Sequence, residues 1–155
     1  TVGKILADIL SAELIETDAL VEEASGMTIP EIFHEQGEEA FRRMERAAVE
    51  RAVTRGFSVI ALGGGTLQCT RSLELVTASC RIFTLTANTE ELIERNRGGR
   101  PLAESRESLI QLVESRSSHY SELPGQISTS GRTAEELAGE IAAILRREDH
   151  PLWFR

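Results

Sequence analysis

Three segments far apart in the chain carry groups suited to holding and activating a small anionic molecule. Asp18 directly follows the β-rich run Leu14-Ile15-Glu16-Thr17, which puts a carboxylate at the edge where open parallel sheets bind ligands. A carboxylate there could orient a hydroxyl or take its proton; it could equally cap the helix predicted from Ala19 to Ser25. Arg42, within Phe41-Arg42-Arg43-Met44-Glu45, adjoins an apolar stripe instead of opposing it. A guanidinium suits carboxylates and phosphates through paired charge-assisted hydrogen bonds, while Glu38 and Glu45, one turn away on either side, offer an ordinary surface ion pair. Gly63-Gly64-Gly65 follows an apolar run and would let a ligand reach backbone N–H donors. A flexible turn accounts for three glycines just as well.

Short β-rich runs alternating with longer helical ones must position these groups, the pattern of a parallel sheet covered by helices. The periodicity predicts a helix over about Val2 to Ala12, a strand at Glu13 to Thr17, and helices from Asp18 to Ser25 and Ile29 to Gln36. Gly37 then precedes a long helix to about Arg55, with Phe41, Met44, Ala48 and Ala52 on one face, and Gly56 is expected to end it. Phe57 to Leu62 reads as a buried strand running into the glycines. A helix near Ser72 to Ala78 leads to a strand at Arg81 to Thr86, and Asn88 or Thr89 is suited to cap the next helix. Gly98 and Gly99 break that helix, Arg100 to Ser105 reads as a mobile loop, and a helix to Tyr120, a strand at Gln126 to Thr129 and a helix from Thr133 to Arg147 complete the chain. Residues 1–147 are read as one domain and 148–155 as a tail or linker.

Composition narrows the function classes. A chain of 155 residues holds one core. A net charge of -8 would repel the phosphates of a nucleic acid, so no nucleic-acid partner is expected. Lys4 is the sole lysine and every other basic residue is arginine, a bias that fits anion recognition but also follows from codon usage alone. Cys69 and Cys80 match no metal or redox spacing, and two thiols in such a chain suggest a reducing compartment. No apolar run approaches the ~18 residues of a membrane span, so a cytoplasmic protein without membrane contact is expected.

Taken in order, Glu16-Thr17-Asp18, Ile29-Pro30-Glu31-Ile32-Phe33, Gly37-Glu38 with Phe41-Arg42-Arg43 and Glu45, Gly63-Gly64-Gly65, Arg100-Pro101-Leu102, and Arg116 before Tyr120 resemble the shikimate kinases. The resemblance extends to about Arg147. It implies an α/β fold, the three-layer P-loop kinase type, and transfer of the γ-phosphoryl group of ATP, with Mg²⁺, to shikimate by a monomeric enzyme. It further implies that Asp18 contacts the attacking hydroxyl and that Arg42 and Arg116 hold the carboxylate. Gly63, Gly64 and Gly65 would contact the substrate, and Phe33, Phe41 and Glu45 would shape or brace its pocket. Arg100 would reach over the transferring phosphate from a lid, Arg95 and Arg132 would lie near the adenine, and Glu16 would stand near the hydrated Mg²⁺.

The chain departs from the family's pattern in several places. No G-x-x-x-x-G-K-[ST] occurs, and Gly3-Lys4 is no substitute because Ile5 follows where a hydroxyl is needed. Thr1-Val2-Gly3 resembles the segment just after the phosphate-binding loop, so the first, central strand and the loop are expected to lie upstream and the 155 residues alone to be inactive. The strands near Ile15 and Ile60 would then pair separately from those near Phe83 and Ile127. Glu16 replaces the family's usual Asp, the stretch from Arg95 to Arg116 is shorter, and Ala134 stands near a frequent Pro. Two other readings compete. A non-catalytic binding module would keep the pocket, and a kinase for gluconate or a nucleoside monophosphate would share the architecture but explain Asp18, Arg42 and Arg116 less well.

Overall fold

In the computed structural model, which describes residues 1–95 and 106–147, the chain divides into two units, Thr1–Arg81 with the described part of Thr133–Arg155, and Ile82–Arg132. In the first unit, β1 (Glu13–Glu16) and β2 (Ser58–Ala61) pair in parallel, with Ile15 opposite Ile60 and Glu16 opposite Ala61. That register ends both strands at the same level, so the residues after Glu16 and after Ala61 emerge side by side. The helices α1 (Val2–Leu10), α2 (Thr17–Ser25), α3 (Ile29–Val53), α4 (Thr70–Ser79) and α7 (Ala134–Arg147) surround this pair. Leu6 and Ala7 of α1 are buried, as are Leu137, Ala138, Ile141, Ala142 and Leu145 of α7, which packs on α1. Gly3 places α1 against the sheet, where a Cβ would make ordinary contact with Leu14 Cδ1 at 3.4 Å and Ala61 Cβ at 3.7 Å.

A second cluster forms where α2 meets α3, from Val21, Ile32, Phe41 and Ala48 with Leu20, Met27, Phe33 and Met44 against them. The spacing of these residues on α3 is the apolar stripe legible in the sequence. The start of α3 is fixed by a capping box, in which the Thr28 hydroxyl accepts from the Glu31 amide while Glu31 Oε2 accepts from the Thr28 amide at 2.7 Å. At Gly37, φ 79 and ψ 172 interrupt the helical path, so the helix over Ile29 to Gln36 and the longer one beyond it meet at a kink.

In the second unit, β3 (Thr84–Thr86) and β4 (Gln126–Ser128) pair in parallel, with Leu85 opposite Ile127. The helices α5 (Thr89–Arg95) and α6 (Arg106–Glu122) complete this unit. Asn88, not Thr89, caps α5, its Oδ1 accepting from the Glu91 amide at 2.8 Å. Among the described residues the strands form these two separate pairs, as expected from the sequence.

Some expectations need correction. Helix α3 stops at Val53, Thr54 remains in the right-handed helical region and donates from its hydroxyl to Arg51 O at 2.8 Å, and Gly56 is not the left-handed cap. The strand expected from Phe57 to Leu62 is shorter, Ser58–Ala61, and only half-buried, and Phe57 precedes it exposed. Arg81 precedes β3 instead of opening it. The glycine break at Gly98 and Gly99, the loop from Arg100 to Ser105 and the tail 148–155 lie outside the described residues. No helix among those described is long and apolar enough to cross a membrane.

Candidate active site

The site grows from the aligned carboxyl ends of β1 and β2. Immediately after β1, Thr17 is fully buried, and its hydroxyl donates to Ala61 O at 3.3 Å and accepts from the Gly63 amide at 3.2 Å. This single side chain ties the start of α2 to the glycine turn. Asp18 comes next, inside the first turn of α2, whose N-cap position is Glu16 with no side-chain cap bond, so Asp18 does not stand at the N-cap position open to it in the sequence. A carboxylate in that first turn is favoured by the helix dipole. Glu16, Asp18, Ala19, Glu22, Ala61, Leu62 and Gly63 line an open cavity of about 280 Å³.

The glycines are close-approach positions. A Cβ on Gly63 would stand 2.8 Å from Asp18 Oδ1, 3.2 Å from Thr66 Oγ1 and 3.3 Å from Glu45 Oε1. A Cβ on Gly65 would stand 2.8 Å and 3.0 Å from the terminal nitrogens of Arg42. The turn therefore packs against a carboxylate from α2 at Gly63 and against a guanidinium from α3 at Gly65, each where a Cβ would collide. The Gly63 amide is committed to Thr17.

Arg42 makes both ion pairs that the sequence offered, and they differ in kind. Its Nε and Nη2 donate to Glu38 Oε1 at 3.3 and 3.1 Å at the surface. Its Nη1 donates at 2.8 Å to Glu45 Oε2, and Glu45 is only 3% exposed. The second Glu45 oxygen accepts from the buried Thr66 hydroxyl at 2.7 Å. Burial works against the charge of Arg42, but the bonds and charges of Glu45, then Glu38, outweigh it and raise its pKa. The guanidinium carbon also lies 5.3 Å from the centroid of the Phe41 ring, and Phe41 packs on Phe33 with centroids 4.7 Å apart.

Asp18, Arg42, Glu45, Gly63 and Gly65, with the Phe33–Phe41 pair beneath Arg42, thus fall in one unit. Arg116 lies half-buried on α6 and Arg132 half-buried after β4, its amide donating to Thr129 O at 3.3 Å; both belong to the second unit. Arg95 is the last residue of α5, and Arg100 lies outside the described residues. Thr17 and Thr66 were not singled out from the sequence. Their partners lie up to 46 residues away, and nothing in a local pattern marks a threonine for such bonds.

The sequence profile described as "Shikimate kinase" matches residues 1–146. The chain belongs to the shikimate kinase family. It is 36% identical to the shikimate kinase of Thermus thermophilus, over 94% of this chain and 83% of that protein, and 37% identical to that of Salinispora tropica, over 94% and 89%. Among solved structures, a shikimate kinase from Acinetobacter baumannii in complex with shikimate matches with a TM-score of 0.86 at 27% identity, covering 96% of this chain and 86% of that one. The fold is accordingly that of the P-loop kinases, and a member of this family is an ATP-dependent kinase acting on an alcohol.

Proposed function

We propose that the enzyme transfers the γ-phosphoryl group of ATP to the 3-hydroxyl of shikimate, giving shikimate 3-phosphate and ADP on the route to the aromatic amino acids. The observation that carries this reading is the meeting of Asp18 and the braced Arg42 on the two sides of the Gly63–Gly65 turn. Asp18 accepts the proton of the attacking hydroxyl as its oxygen bonds to phosphorus, and the bond from phosphorus to the departing ADP oxygen breaks. Arg42, with Arg116, receives the acceptor's carboxylate. Gly64 and Gly65 present backbone to the ring hydroxyls, and Phe33 and Phe41 supply the pocket's apolar wall. Arg100 neutralises charge on the transferring group, and Arg95 and Arg132 serve the adenine.

A nucleotide-borne Mg²⁺ fits the carboxylates present. Among the described residues no three His, Cys, Asp or Glu side chains cluster closely enough to enclose a metal, but Mg²⁺ keeps several waters and needs only one or two carboxylates beside phosphate oxygens. Glu16 and Asp18, both lining the cavity, would serve through those waters. When bound, the ion neutralises charge on the phosphate oxygens. The enzyme is read as a cytoplasmic monomer.

The test is a coupled assay of ADP release from the natural full-length chain, in which residues 1–155 stand in their native context, with shikimate and gluconate as alternative acceptors. Turnover with shikimate is expected. Turnover with gluconate alone, or with neither acceptor in a folded protein, would overturn the reading.

A further inference from the structure

We infer that Thr66 is a positioning residue whose hydroxyl, acting through Glu45, holds the Arg42 guanidinium in the orientation that receives the acceptor's carboxylate. The inference rests on the proposed role of Arg42 and adds a residue that neither the sequence pattern nor the family resemblance singled out.

A chain of bonds runs outward from the glycine turn. The Thr66 amide donates to Gly63 O at 3.2 Å, which makes Thr66 the closing residue of the turn. Its side chain is fully buried, so the hydroxyl must find a protein partner. That partner is Glu45 Oε1 at 2.7 Å. The other oxygen of the same carboxylate takes Arg42 Nη1 at 2.8 Å. Each oxygen of a nearly inaccessible carboxylate thus has a donor, one from the glycine turn and one from the substrate arginine.

This division decides how Arg42 points. A carboxylate free to use both oxygens engages a guanidinium in a two-pronged pair, which would occupy both terminal nitrogens. Because Thr66 holds Oε1, Glu45 engages only Nη1, and Nη2 goes to Glu38. Each terminal nitrogen carries two hydrogens, so each bond leaves a second hydrogen on its nitrogen, and both nitrogens lie close to Gly65, at 2.8 and 3.0 Å from its would-be Cβ. An incoming carboxylate needs those remaining hydrogens. If Thr66 lost its hydroxyl, Glu45 would gain reason to turn its second oxygen toward Arg42 and compete with the acceptor.

The experiment compares Thr66→Val, which keeps the shape and removes the hydroxyl, with Thr66→Ser, which keeps the hydroxyl, each alone and in an Arg42→Ala background. Steady-state KM for shikimate and for ATP, kcat, and shikimate affinity by calorimetry are measured. Thr66→Val is expected to raise the shikimate KM about tenfold and leave the ATP KM within about twofold, Thr66→Ser to restore it, and Thr66→Val to add nothing once Arg42 is gone. If Thr66→Val does not fold, Thr66→Ala serves in its place with the same expectation. Equal losses for both substrates, or an undiminished effect in the Arg42→Ala background, would overturn the inference by reducing Thr66 to a structural residue. A normal shikimate KM in Thr66→Val beside a raised one in Arg42→Ala would overturn it alone, whereas a normal shikimate KM in Arg42→Ala would overturn the clamp itself.

Discussion

Asp18 Oδ1 lies 2.8 Å from the point where a Cβ on Gly63 would stand, so the reach of the proposed base is set by the absence of a side chain on a different strand's loop. Gly63→Ala should push the Asp18 carboxylate aside, because the colliding atom is the movable end of a side chain. A displacement of about 1 Å is enough to cost up to ~100-fold in rate. The expected result is a kcat lower by at least about tenfold with a melting temperature within a few degrees of the parent. An unchanged kcat would show that Asp18 works from another position.

Asp18 itself sits in the first turn of α2 beside the cavity. Asp18→Asn keeps the shape and removes the base, so kcat should fall by about 100-fold or more. Loss of the charge at the helix start should cost only about 0.3 to 1 kcal/mol of stability. A full kcat with a lowered unfolding midpoint would return Asp18 to a purely local helix role.

Replacing Arg42 by Ala removes the proposed carboxylate partner and leaves the Glu45 carboxylate buried without its cation. Shikimate binding should weaken by about 2 to 5 kcal/mol while ATP binding changes little, and Arg116→Ala should show the same selectivity. Titration calorimetry with each ligand separates the two. Equal weakening of shikimate and ATP would remove both arginines from the acceptor site.

The capping box at α3 makes a pH-dependent contribution. Bonds from the Thr28 hydroxyl, then its amide, hold the Glu31 carboxyl below its ordinary range against a smaller effect of burial. A depressed carboxyl stabilises the fold fully above its unfolded pKa and loses that contribution as pH falls through the folded value. The melting-temperature difference between the parent and Thr28→Val should therefore be largest near neutrality and shrink on acidification below the normal glutamate range. A difference independent of pH would mean that Glu31 does not titrate through this bond.

Local order was legible in the sequence because it depends on neighbours three or four residues apart. The break at Gly37, the apolar stripe through Phe41, Met44, Ala48 and Ala52, and a cap at Asn88 follow from helical spacing and backbone preference. The element boundaries read less well. The end of α3 at Val53 reflects a Thr54 hydroxyl bond to Arg51 O, a contact that competes with the glycine signal at Gly56 and wins.

Of the site, the residue types at Asp18, Arg42 and the glycines could be read from the sequence, but the pairing of Arg42 remained open between two glutamates. Helical spacing puts Glu38 and Glu45 within reach of Arg42 alike. Only the packed structure makes them unequal, because Glu45 faces Thr66 at the buried end of the turn while Glu38 stays at the surface. Thr17 and Gly63 lie 46 residues apart, and Thr66 and Glu45 lie 21 apart. Such bonds exist because the parallel register of β1 and β2 ends both strands at one level and because α3 packs against the segment that follows the glycine turn. Residue type and short-range spacing determined which groups this chain possesses; the register of strands distant in sequence decided which oxygen each of them faces, since hydrogen-bond reach is about 3 Å and no local pattern encodes a distance that the chain must fold to create.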